Sequence, residues 1–137
     1  MSNYVLDACA LLALLRNEPG ADIVAAAFNA TNHSDSEIII NKVNLLEVYY
    51  DLYRTVGKYI AGDILSEIKK RPLTINTEIS DEIFIEAGRL KALYKISLAD
   101  SFALAQALVS DGELLTSDHH EFDPLVECEP IAFHWIR

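Results

Sequence analysis

The 137 residues, 51% of them hydrophobic, fit the size of one domain and supply enough apolar material for one core. Cys9 and Cys128 are the two cysteines; they lie far apart and without metal-knuckle spacing, which excludes a disulfide framework and a zinc knuckle. A formal net charge of -10 counts against a nucleic-acid partner held by phosphate neutralisation alone, although carboxylates that hold a divalent cation have their charge cancelled by it.

In chain order, Tyr4 to Leu6 reads as a short apolar strand that stops at Asp7. A helix over Ala8 to Arg16 follows, closed by Asn17, Pro19 and Gly20. The apolar run Ala8 to Leu15 is too short to span a bilayer, and with Asp7 before it and no basic stretch ahead it does not read as a signal peptide. The expectation is a cytoplasmic protein with no membrane association, folded as a single domain over residues 1–137.

Residues Ala21 to Ala30 place Ile23, Val24, Ala27 and Phe28 on one helical face, and Ile38 to Ile40 is a β-branched run suited to a strand buried on both sides. From Lys42 to Val56 the residues Leu45, Tyr49, Leu52, Tyr53 and Val56 share a stripe. After Gly57 a further helix carries Ile60, Ile64, Leu65 and Ile68. Leu73 to Ile75 reads as a strand, and Ile79, Ile83, Ala87, Leu90 and Tyr94 line another amphipathic helix. Ser97 opens a helix over Leu98 to Ser110 that is apolar nearly all round; strands are expected at Glu113 to Thr116 and Ile131 to His134. Alternating strands and helices predict an α/β fold, a three-layer α/β/α sandwich with a mainly parallel central sheet, whose ligands bind at the carboxyl ends of the strands.

Four acids stand out against that frame. Asp7 and Asp118 each follow a strand and so reach the carboxyl edge of the sheet, although each also suits a helix N-cap. Asp100 fits the capping box opened by Ser97, yet with Ala103, Leu104 and Ala107 beside it the carboxylate faces a packed wall or cleft, where it needs a partner. Glu47 shares a polar helix face with Asn44, Asp51 and Arg54, which a solvated surface explains fully. If all four converge, they form a set of oxygen ligands for a hard cation such as Mg2+ or Mn2+. His119 and His120 lack the helical spacing of zinc ligands, and Cys9 reads as a small buried side chain. Two basic clusters, Lys69, Lys70 and Arg71, and Arg89, Lys91 and Lys95, read first as solvated helix faces and second as contacts for a strand of nucleic acid.

The segments YVLDACALLALL with Asp7, NLLEVYYDL with Glu47, SLADSFALAQAL with Asp100 and LLTSDHHEFD with Asp118 resemble, in order and spacing, the PIN-domain ribonuclease family, and within it the VapC-like toxins of toxin-antitoxin pairs. The resemblance implies a divalent-metal-dependent endoribonuclease with Asp7, Glu47, Asp100 and Asp118 holding Mg2+ or Mn2+. It also implies that Thr116 orients a ligand or a metal-bound water. RNA is then the substrate, an antitoxin protein a partner, and a homodimer the expected assembly. The family's further acid after the fourth has two candidates here, Glu121 and Asp123. The alternative is a catalytically inactive PIN-like interaction module. A phosphatase or receiver-like domain would want an Asp where Cys9 stands, or a late Lys that this chain lacks.

Overall fold

Short, largely apolar runs pair into one sheet, and the stretches between them supply its helical cover. The computed structural model describes residues 3–32 and 34–137. In chain order the elements are β1 (Asn3–Leu6), α1 (Ala8–Leu15), α2 (Ala21–Thr31), β2 (Ile38–Asn41), α3 (Lys42–Lys69), β3 (Thr74–Asn76), α4 (Asp81–Leu93), α5 (Leu98–Ser110), β4 (Gly112–Thr116), α6 (His119–Phe122), a 3-10 turn (Asp123–Leu125) and β5 (Phe133–Trp135). All five strands run parallel, in the order β3-β2-β1-β4-β5.

Alternation along each strand sends side chains to two different cores. Leu6, Ile38, Ile40 and Leu115 pack with α1, α2 and α3 on one face. Val5, Ile39 and Leu114 pack with α5 and with residues of α4 and α6 on the other. Each fully buried Leu or Ile contributes about 2 kcal/mol from the loss of apolar surface to water. The result is the expected three-layer α/β/α sandwich, with its sheet parallel throughout.

The α3 helix is broken at Gly57, whose φ of 84° and ψ of 169° lie outside helical space, so the two helices expected on either side of that glycine are present. Two expectations shift, and one short helix is unexpected. The last strand falls at Phe133–Trp135 rather than Ile131 to His134, because pairing with β4 chooses it: Leu114 pairs with Phe133 and Thr116 with Trp135, while Ile131 turns into the core beside α5. Ile79 lies outside α4, exposed, because the Ser80 hydroxyl caps the helix by accepting from the Ile83 amide at 3.2 Å. The four residues of α6 are too few for a periodic signal. Among the described residues, no helix is long and apolar enough to cross a membrane.

Register decides what sits at the carboxyl edge. Leu6 is level with Ile40 and with Leu115, so the next residue of each chain, Asp7, Asn41 and Thr116, forms a row across the strand ends. Asn76, level with Asn41, extends the row on one side, and Trp135, level with Thr116, on the other.

Candidate active site at the carboxyl edge of the sheet

Asp7 leaves β1 directly into α1 and is buried, with 3% of its surface exposed. Its Oδ1 accepts from the Ala10 amide at 2.8 Å, which makes it the cap of α1, and its Oδ2 accepts from the Thr116 hydroxyl at 2.5 Å. The choice between cap and ligand thus dissolves, since one carboxylate oxygen serves the helix while the other faces the strand ends. Burial pushes the Asp7 carboxyl up from 3.8 to about 7; the hydrogen bonds from Thr116 and Ala10 oppose the rise, and Asp100 and Asp118 add to it.

Thr116 is fully buried at the end of β4. Its hydroxyl donates to Asp7 and accepts from the Asp118 amide at 3.0 Å, so one oxygen sets the positions of two acids on adjacent segments. Asp118 in turn caps α6, accepting from the Glu121 amide at 3.2 Å. Asp100 lies in the first turn of α5, where its backbone amide donates to the Ser97 hydroxyl at 3.0 Å. Its carboxyl is pushed up to about 6, first by burial, against a hydrogen bond from Ser97, and then by Asp118, Glu47 and Glu121. Glu47, half-buried on α3, is raised by burial, opposed by the Asn44 amide, and raised further by Asp118 and Asp51. The acids therefore form one electrostatic group: Asp118 acts on each of the other three, and Asp100 acts on Asp7.

The sequence pattern of the PIN domain matches residues 4–124. The chain belongs to the PIN domain family. No curated protein matches it. Among solved structures, a chain of the DNA-bound VapBC of Salmonella typhimurium has the same fold, with a TM-score of 0.76 at 14% identity over 100% of both chains. A chain of VapBC2 from Rickettsia felis, bound to a DNA fragment from its promoter, gives 0.71 at 16% identity, covering 96% of this chain and 97% of that one. A chain of a toxin-antitoxin complex from Klebsiella pneumoniae gives 0.64 at 21% identity, covering 90% and 93%. At these identities the likeness is one of fold.

Within this PIN domain the donor chemistry fits a hard divalent cation, since the acids offer only carboxylate oxygens. A second observation agrees. Asn44, 1% exposed beside Glu47, donates through Nδ2 to the Ala99 carbonyl at 3.0 Å, while its Oδ1 is a buried acceptor without a donor. A water carried on a cation among these acids would satisfy that oxygen. Among the described residues, no three His, Cys, Asp or Glu side chains stand close enough to share one ion.

Of the two candidates for a further acid, Glu121 acts on Asp100, whereas Asp123 is turned away to His119, 2.9 Å from its Nδ1. Cys9 is exposed rather than buried; its neighbour Asp7 takes the inward position at the start of α1, and Cys9 sits at the rim. Desolvation of the thiol, followed by Asp7, Asp118, Asp100 and Glu47, pushes it up to about 12. The second basic cluster is also re-read. Arg89 is committed to Glu86 at 2.8 Å and Glu129 at 2.7 Å and is not free for phosphate, while Lys91 and Lys95 remain exposed. In the first cluster, Lys70 makes only an exposed pair with Glu67 at 3.3 Å.

Sequence reasoning places Asn44 on a solvated face, whereas it is buried against α5, and passes over a buried amide network. Gln106 of α5 accepts from Asn41 at 3.1 Å and from Asn76 at 2.7 Å, and donates to the Ser110 hydroxyl at 2.8 Å. It pins α5, and with it Asp100, to the ends of β2 and β3. The available signal was Gln106 itself, a lone amide inside an otherwise apolar helical run.

Proposed function

We propose that this PIN domain is a divalent-metal-dependent endoribonuclease that hydrolyses RNA phosphodiester bonds, and that it is the toxin of a toxin-antitoxin pair. The observation that carries the reading is the mutual electrostatic grouping of Asp7, Glu47, Asp100 and Asp118, drawn from three helix starts and a fourth helix at one sheet edge. Like charges grouped in this way raise one another's carboxyls, and a bound cation would offset that repulsion.

In this reading Asp7, Glu47, Asp100 and Asp118 hold Mg2+ or Mn2+. The bound ion would supply a water acidified toward hydroxide and a counter-charge for the phosphate as it passes through its transition state. Thr116 fixes the Asp7 carboxylate and the Asp118 backbone so that both acids keep their positions. Asn44 tethers the Glu47 face of α3 to the Asp100 end of α5 and offers its free Oδ1 to a water. Fixed carboxylates of this kind reduce the reorganisation required when the substrate arrives.

Exposed apolar side chains support protein partners. Leu46, Tyr50 and Tyr53 lie along α3, and Phe84 and Ile85 along α4, all largely open to solvent. They fit a homodimer contact and an antitoxin segment, and a cytoplasmic setting agrees with both partners. Light scattering at high micromolar concentration should give the dimer mass; a monomer counts against that part of the reading.

Cleavage of a mixed single-stranded RNA pool in Mg2+, with EDTA and with Asp7→Asn and Asp100→Asn, tests the activity. The expected result is cleavage by the wild type only, abolished by EDTA. Equal rates in the wild type and both variants would remove the acids from the mechanism, and no cleavage by any protein would favour the inactive interaction module.

A further inference from the structure

His119 follows Asp118 at the start of α6, and its ring is held on three sides. Nδ1 lies 2.9 Å from Asp123 Oδ1, and Nε2 lies 2.9 Å from the Arg137 carbonyl oxygen. One ring face stacks on Trp135, with centroids 3.8 Å apart and planes 15° from parallel. Trp135 is itself stacked on Phe133 at 5.3 Å and 9°, so both of its faces are covered. With both nitrogens committed, the imidazole has no free site for proton exchange with a substrate. Its side chain is nonetheless 46% exposed, and Trp135 is the aromatic neighbour stacked on it.

The position of the ring matters. Trp135 is level with Thr116, whose hydroxyl holds Asp7. With adjacent strands about 4.8 Å apart, the backbone of Trp135 lies roughly 10 Å from that of Asp7 along the same edge of the sheet, and His119 is one residue from Asp118.

We propose that the exposed ring of His119 is a stacking subsite for a nucleobase of single-stranded RNA adjoining the cleavage site; the inference rests on the ribonuclease reading above. Charge supports a base over a phosphate as the group bound. The chain carries a net charge of -10, and Arg16 and Arg54 are paired with Asp51, Arg89 with Glu86 and Glu129, and Arg137 with the Pro19 carbonyl. With these guanidinium groups committed and the net charge strongly negative, contacts that do not depend on phosphate neutralisation gain weight beside the exposed lysines. A rigid aromatic face is such a contact, because every base has a π-face and splayed single strands stack on His as on Phe, Tyr or Trp. The ring is already ordered by Trp135, Asp123 and Arg137, so little further side-chain freedom is lost when a base lands on it.

Two measurements test the subsite. The first uses a labelled single-stranded RNA carrying a methylphosphonate at the mapped cleavage position, which resists hydrolysis and needs no added metal. Anisotropy should show His119→Ala weakening its binding about tenfold, and His119→Phe, which keeps a ring on Trp135, restoring most of it. The second uses cleavable RNA with a single abasic nucleotide moved along either side of the cut. One position next to the cut should raise KM for the wild type about tenfold with kcat nearly unchanged, and His119→Ala should be indifferent to that same lesion. Wild-type melting temperatures in both variants exclude loss of fold; if His119→Ala melts early, the comparison of His119→Phe on intact and abasic RNA carries the test. Metal-dependent cleavage that is indifferent to abasic lesions everywhere, or unaltered binding by His119→Ala, overturns the subsite and leaves the nuclease standing. No RNA binding or cleavage by the wild type overturns both.

Discussion

Replacing Asp7 by Asn in the metal-free protein should change how stability depends on pH, and the sign is fixed by burial. The Asp7 carboxyl sits near 7 in the fold and at an ordinary value of 3.8 when the chain is unfolded. Between those values the native state holds a proton that the unfolded state has released. The stabilising contribution is therefore fully present below about pH 4 and is lost as the pH rises through about 7. A gap of about three pH units at 1.36 kcal/mol each gives about 4 kcal/mol, or on the order of 10 °C in melting temperature for a domain of this length. Asp7→Asn keeps the shape, can still accept from Ala10 and can donate to Thr116, and has no charge to lose. Thermal melts in EDTA from pH 4 to pH 8 should show the wild type falling more steeply than the variant, which keeps the slope due to Asp100 and Glu47, so that the difference between them isolates Asp7. Adding Mg2+ at pH 8 should raise the wild type and leave Asp7→Asn largely unmoved, because a ligand that binds only the folded state stabilises it in proportion to occupancy. Parallel pH curves for the two proteins would refute the reasoning.

Three further outcomes follow from specific contacts. Thr116→Val removes the donor to Asp7 and the acceptor for the Asp118 amide, and should cost about 2 kcal/mol in urea denaturation; Thr116→Ser should recover most of it, and an equal loss in both would deny the hydroxyl its role. Arg89→Ala strands Glu129, whose side chain is 5% exposed and also accepts from the Tyr94 hydroxyl at 2.6 Å; with Arg89 partly solvated the loss should be about 2 kcal/mol, and a double-mutant cycle with Glu129→Gln that finds no coupling would contradict it. Gly57→Ala meets no neighbouring atom, yet places a Cβ at φ 84°, and should destabilise by about 1–3 kcal/mol, whereas Gly62→Ala, helical and equally open, should stabilise slightly; similar values for the two, by chemical denaturation, would remove backbone strain as the cause.

The electrostatics of the site also give its anchoring contacts a role. Each acid is built into a structural element: Asp7 and Asp118 as caps, Asp100 in a first turn, Glu47 on a helix tethered through Asn44. Carboxylates on loose segments would move apart under mutual repulsion. Here the helix starts, the Thr116 hydroxyl and the Gln106 amide network hold them in place.

Local pattern alone determined much of this protein, because period and punctuation are written in neighbouring residues. The buried run Ile38 to Ile40, the helical stripes of α3 to α5, the break at Gly57 and the Ser97 cap can all be read from a window of a dozen residues, and with them the α/β/α class. What required the tertiary structure was every property that depends on pairing. Glu47 looks like a solvated surface acid until α3 is laid beside α5, and β5 begins where β4 offers partners rather than where its own apolar residues start. Cys9 and Arg89 likewise take their character from groups distant in sequence: the acids of the site for one, Glu129 for the other. The sequence names the charges; only the sheet register and the helix packing bring them to one edge, because Coulomb forces and hydrogen bonds act through space and not along the chain.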